Sequence, residues 1–244
     1  MGTSKGYLPP TGFLWKETKR SITNMVKNNF QRDSIGKAMS NFSNIYNNGN
    51  NGGRRSSGTI ASSGARAVGF LKDAKDFGFN DALNKAGLAH LIGKDSDEVY
   101  IGLLDYFAGD GSTLNKSIVR DSMSELLKEQ FLDVSESKEY DEIISNMDIN
   151  KFISDFIIKF IQKSFLTNFS EKIEGLCKNL DEYIKAEKDI KEFIRIEIER
   201  NYSVDDINNI NWTGKQGKDF IMHKCNEAYE IFSMWKGDID ENMD

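Results

Sequence analysis

Gly2 is the residue whose type and place most readily support chemistry. A small second residue permits removal of Met1, which leaves the Gly2 amine as the new terminus. An α-amino group has a pKa of ~7.7 to 8.0, so near neutral pH a useful fraction is an uncharged nucleophile. Glycine adds no side chain to obstruct it. Myristoylation would need Ser or Thr at position six, where the chain has Gly6. Residues 1 to 6, with Thr3 and Ser4 after the glycine, are small or flexible enough to thread a narrow site. Tyr7, Leu8, Pro9, Pro10 and Phe13 follow as anchors for a groove outside it. The prolines lower the ordering cost of such a segment, and aromatic side chains dominate such contacts. Folding of these side chains back onto the protein's own helices is the competing reading.

Other constellations carry less. Arg54, Arg55, Ser56 and Ser57 stand just before an expected helix, where free N–H groups attract anions. With Arg66 the two arginines are the candidate anion-binding residues. No Lys-Ser/Thr pair follows the glycines and no strand precedes them, so this is not a P-loop. His90 and His223 form neither HxxxH nor HxxE and read as structural or surface residues, so neither a metal site nor a cofactor is expected. Cys177 and Cys225, far apart and without a CxxC, read as reduced small apolar residues. No Ser, Cys and His arrangement and no carboxylate pair stands out for catalysis. The expectation is a protein that is not an enzyme.

The elements that must position these residues are helical. Residues 149 to 169 place Ile149, Phe152, Ile153, Phe156, Ile157, Phe160, Ile161 and Phe165 at spacings of three and four. Ile158, Leu166 and Phe169 widen that stripe beyond a surface helix, so this segment is the expected centre of the fold. The chain has only two prolines, both before residue 11, and 16 Phe to fill a core. The fold class is all-α: a single domain of about 8 to 10 helices around a central apolar helix, with an extended amino-terminal tail.

In order, residues 1–13 read as that tail, reaching ~40 Å if extended at ~3.3 Å per residue. Residues 14–132 form a helical region that opens with a hairpin, its second helix lined by Ile35, Ala38, Met39, Phe42, Ile45 and Tyr46. The glycine- and asparagine-rich stretch 47–58 reads as a mobile loop. Asn80 is placed to cap a short helix, and Asp95 with Glu98 has capping-box spacing. The acidic stretch 133–142 is the one plausible internal boundary. Residues 133–235 hold the central helix, then a stripe that includes Leu176, Leu180 and Ile184, a short helix restarted at Ser203, and a last helix ending near Trp235. Residues 236–244 form an acidic tail.

The net charge of −6 conceals an asymmetry: residues 1–72 hold 11 Lys and Arg against Glu17 and Asp33, a balance of +9, which leaves −15 for the rest. Such a split fits an anionic partner, or one end of a fold complementing the other. No apolar run approaches the ~18 residues of a membrane span. Met1 is followed by a polar stretch rather than a secretory signal. The expected location is the cytoplasm, without a membrane partner.

Met1-Gly2-Thr3-Ser4, the Pro9-Pro10 stretch, the helical hairpin, and Gly52, Gly53, Arg54, Arg55 leading into Ala65, Arg66, Ala67 resemble the QatB family of the bacterial Qat anti-phage defence system. "LIGK" at 91–94 and "DYFAGDGSTLNKSIVRDSMSELL" at 105–127 fall where that family has comparable segments, so the likeness spans roughly the first 130 residues. The proline-containing linker is shorter here. The resemblance implies a QueC-like enzyme (QatC) as partner, with an ATPase (QatA) and a TatD-like nuclease (QatD) as further members. It also implies that the Gly2 amine is joined to a 7-deazaguanine-type base. A helical adaptor contacting nucleic acid is the alternative, with nucleic acid not favoured.

Overall fold

The computed structural model describes residues 12–48, 53–131, 134, 137–204, 207 and 209–235, the side chains of 47–48, 53–57 and 137–138 excepted. Among them are ten α-helices and no strand: α1 Phe13–Lys27, α2 Arg32–Asn48, α3 Gly53–Phe77, α4 Phe79–Lys85, α5 Ser96–Ala108, α6 Leu114–Phe131, α7 Ser137–Asn146, α8 Ile149–Glu174, α9 Leu180–Asn201 and α10 Lys215–Ser233. A 3₁₀ turn covers Ala89–Leu91.

The central helix is α8. Asp148 caps it, its carboxylate accepting from the N–H groups of Asn150 and Lys151. Phe156, Ile157 and Ile158 are consecutive and all buried. At about 100° per residue they cover most of the helix circumference, while Ser154, Asp155, Lys159 and Gln162 keep one face of α8 in partial contact with water. The cover comes from α1, α3, α6, α9 and α10. Phe42 of α2 lies edge-on to Phe165 and Phe169 at 5.3 and 5.7 Å between ring centres. A second organising helix, not singled out by periodicity, is α3, which packs against α2, α4, α5, α6, α7, α8 and α10. Its small residues allow this: a Cβ at Gly64 would lie 3.0 Å from the side chain of Ile221 on α10.

The α1–α2 hairpin closes through a Schellman turn. The Asn29 N–H donates to the Val26 carbonyl and the Phe30 N–H to the Met25 carbonyl, both at 3.0 Å. Asn29 has φ +48°, tolerable for asparagine, and Phe30 tucks into the core behind it.

Several expectations are corrected. Phe13 belongs to α1 rather than to the tail. The stretch 47–58 is mostly helix, since α2 runs to Asn48 and α3 begins at Gly53; the apolar residues from Ile60 onward bury α3 and carry its polar first turns with them. The acidic stretch 133–142 is no domain boundary, because α7 packs on α3, α4 and α6 and Tyr140 stacks on Phe79 at 4.4 Å. Asn80 lies inside α4. The Phe79 N–H donates instead to Asp141 of α7 at 2.6 Å, with Gly78 at φ +92°. Leu180 and Ile184 are 63% and 56% exposed. The described residues between α9 and α10 hold no helix at Ser203. The tails at 1–11 and 236–244 lie outside the described residues.

One ion pair ties α2 to α9. Arg32 reaches the carboxylate of Glu197, which is 3% exposed, and lies 5.4 Å from the Phe193 ring centre and 5.6 Å from that of Trp235. Removing one partner leaves a buried carboxylate uncompensated, which costs about 3 kcal/mol. Arg32→Leu is therefore expected to lower stability by about that much in urea unfolding, and Arg32→Leu/Glu197→Leu by less than the single variant. A double variant less stable than the single would show that Arg32 acts through packing alone.

Candidate functional site

The described body begins at Gly12, which precedes α1 with φ +147° and offers no side-chain cap. Phe13 is 75% exposed. Two residues later the chain is anchored: Trp15 packs on Phe169 of α8 with 5.3 Å between ring centres, and Thr18, Ile22, Met25 and Val26 are buried. The candidates Gly2, Thr3, Ser4, Tyr7, Leu8, Pro9 and Pro10 lie outside the described residues.

The candidate anion-binding arginines all lie on α3. Arg54 and Arg55 fall in the first turn of α3, and Arg66 three turns further on, about 16 Å along the axis from Arg55. The Arg66 side chain is exposed, and its Nε–H donates to the Ser62 carbonyl at 3.3 Å. It lines a cleft of about 570 Å³ between α3, α4, α5 and the start of α10. Tyr106, Phe70 and Trp212 form aromatic parts of the wall, and Lys218 and Asp73 stand on it too. Trp212 is held by close backbone approach: a Cβ at Gly217 would lie 2.9 Å from its Cα, and one at Gly69 would lie 3.2 Å from its Cβ. Sequence reading missed Trp212, Tyr106 and Lys218 as neighbours; the usable signal was Trp212-Thr213-Gly214 directly ahead of α10.

Groups that could do acid, base or nucleophilic work are not gathered. Among the described residues no three of His, Cys, Asp and Glu could hold a metal ion. His90 is exposed, and His223 lies on the surface 3.3 Å from Glu227. Burial pushes the Cys225 thiol up to about 12, and burial, with Glu182 and Glu174 nearby, raises Cys177. The Ser112 backbone N–H, followed by Lys116, holds Asp110 down at about 2, which locks the turn between α5 and α6.

The described residues define an all-helical, single-domain protein. A family model described as Qat anti-phage system associated protein QatB matches residues 49–232. The chain belongs to the QatB family and is a component of the Qat anti-phage defence system. That match covers α3 to α10 and reaches well past residue 130, while leaving out the hairpin and the amino terminus, where the sharpest part of the resemblance lies. No curated protein and no solved structure matches the chain. No helix among the described residues is long and apolar enough to cross a membrane.

The cysteine environments predict thiol reactivity. At pH 8 a disulfide reagent is expected to label at most one thiol of the native protein, Cys177, slowly, and both after unfolding. Fast labelling of both in the native state would contradict the burial of Cys225.

Proposed function

We propose that the chain is a non-enzymatic Qat component whose freed Gly2 amine is conjugated to a 7-deazaguanine-type base by a QueC-like partner (QatC). The partner activates the carboxylate of the base with ATP. The Gly2 amine attacks the activated carbonyl, the C–N bond of an amide forms, the activating group leaves, and the amine loses a proton. The observation that carries the reading is membership of the QatB family, joined to the Met-Gly-Thr-Ser start. The exposed Phe13 ahead of the anchored Trp15 supports it, since a partner can grip the chain there without disturbing the core. Gly2 is the modified residue, and Thr3, Ser4, Tyr7, Leu8, Pro9, Pro10 and Phe13 are the partner contacts. QatA and QatD are further partners, and the site of action is the cytoplasm.

The test is intact mass and terminal-peptide sequencing of the chain co-expressed with its defence partners. Loss of Met1 and addition of one base on the Gly2 peptide are expected; an unmodified terminus during active defence overturns the reading. A Tyr7→Ala/Leu8→Ala variant should keep its helical circular dichroism and its melting temperature while losing co-purification with the QueC-like partner. A markedly lower melting temperature would assign these residues to the protein's own core.

A second reading, a helical adaptor on nucleic acid, draws on the +9 balance of residues 1–72 and on exposed Arg66. Its signature is affinity that falls steeply with salt. Filter binding without salt-dependent affinity for DNA or RNA removes it.

A further inference from the structure

Most charges along the groove between α6, α8 and α9 are paired with one another, Lys188 being an exception and Lys128 lying over the Tyr100 ring instead. Lys159 reaches Glu129 at 2.6 Å, Lys163 reaches Glu125 at 2.5 Å, Lys191 reaches Glu187 at 2.6 Å, and Arg195 holds Glu192 and Glu199. In the cleft between the start of α8 and the end of α9, Lys151 is paired with Asp155 at 3.0 Å. Under α3, Lys72 donates to the Ile207 carbonyl at 3.2 Å. The α6–α8–α9 groove is lined by Glu125, Glu129, Glu187 and Glu192 and by no aromatic side chain, which suits an anionic ring ligand poorly.

The cleft between α3, α4, α5 and the start of α10 differs. Lys218 lines it and makes no hydrogen bond or ion pair with any described residue, and Arg66 uses only its Nε–H, on its own helix. Two cations with donors to spare therefore share one concavity. Its wall is aromatic: Phe70 and Trp212 are almost wholly buried and rigid, and Tyr106 is half-buried. The Trp212 indole N–H is a buried donor with no acceptor among the described residues. Asp73, paired with Lys85 at 2.5 Å, adds the one carboxylate. At about 570 Å³ the cleft is within the usual range for a small-molecule site.

Each feature fits part of one ligand chemistry. A guanidinium and an ammonium lining one cleft suit a phosphate. Aromatic side chains take the face or edge of a planar ring, and a carboxylate held by lysine still has lone pairs for a ring N–H or an exocyclic amine. We propose that this cleft binds a nucleoside monophosphate, its base against Phe70, Tyr106 and Trp212 and its phosphate between Arg66 and Lys218. The site lies on the folded body and does not depend on the chemistry at Gly2.

Titration of the full chain with AMP and GMP, followed by calorimetry and tryptophan fluorescence, tests this. Saturable binding is expected, with dissociation constants of roughly 10 μM to 1 mM. Arg66→Ala/Lys218→Ala should weaken it about tenfold or more with an unchanged melting temperature, because both side chains are exposed. Adenosine and guanosine should also bind about tenfold more weakly, and Tyr106→Ala should weaken nucleotide binding without altering any response to inorganic phosphate. The proposal is overturned by the absence of saturable nucleotide binding, by inorganic phosphate binding as tightly as the nucleotides, or by an unchanged affinity in the double variant. Affinity that grows with the length of a single-stranded oligonucleotide would assign the surface to nucleic acid instead.

Discussion

The middle of α8 is buried over most of its circumference, and the other helices are placed by that constraint. Burial of Phe156, Ile157, Phe160, Ile161 and Phe165 requires cover from several directions at once, which no single partner helix can give. The hairpin of α1 and α2 supplies Trp15 and Phe42, α6 and α9 lie alongside, and α10 closes the remaining face. α3 makes this closure possible by a different property. Its Ala61, Gly64, Ala65 and Val68 present little bulk, so α10 approaches closely, and Ile221 fills the space that a Cβ at Gly64 would take. A long apolar helix and a long small-residue helix are thus complementary parts of one frame.

That frame has little chemistry inside it. Its buried polar groups are mainly hydroxyls, the Trp212 indole N–H, the Glu197 carboxylate that partly exposed Arg32 reaches, and a cysteine whose thiol is held protonated by burial. Among the described residues the feature that could engage another molecule is the cleft beside Arg66 and Lys218, and the proposed acceptor amine lies in the sequence ahead of Gly12. The two are separable. The family match spans the body that carries the cleft, whereas the proposed acceptor amine precedes it.

Local signals were legible in the sequence. The period of α8, the stripes of α2 and α6, and the Asp95 cap, whose carboxylate accepts from the Glu98 N–H at 2.8 Å, are all written within one or two turns of chain. What could not be read were contacts between distant residues. Asn80 has the right chemistry for a cap, yet Asp141, sixty-two residues away, takes the first N–H of α4. Leu180 and Ile184 continue a periodic stripe, but the start of α9 extends beyond the cover available to it. The polar run at 53–58 looked unable to pack, and it is carried into helix by the residues that follow it. Trp212 was invisible as an anchor because its seat is made by Gly69 and Gly217 together. Of the candidate site, residue type at Gly2 was readable and the concavity around Arg66 was not, since it is assembled from four separate helices.

The central claim is that the Gly2 amine, and no side chain, is the acceptor. The most direct measurement is a reconstituted reaction of the purified QueC-like partner, ATP and a 7-deazaguanine carboxylate with two forms of this chain, one beginning at Gly2 and one retaining Met1, the product being mapped by peptide mass. The account predicts one base per chain on the Gly2 form, at a rate that rises with pH through about 8 as the amine deprotonates, and none on the Met1 form. Equal product on both forms, or a base mapped to a lysine, would contradict it.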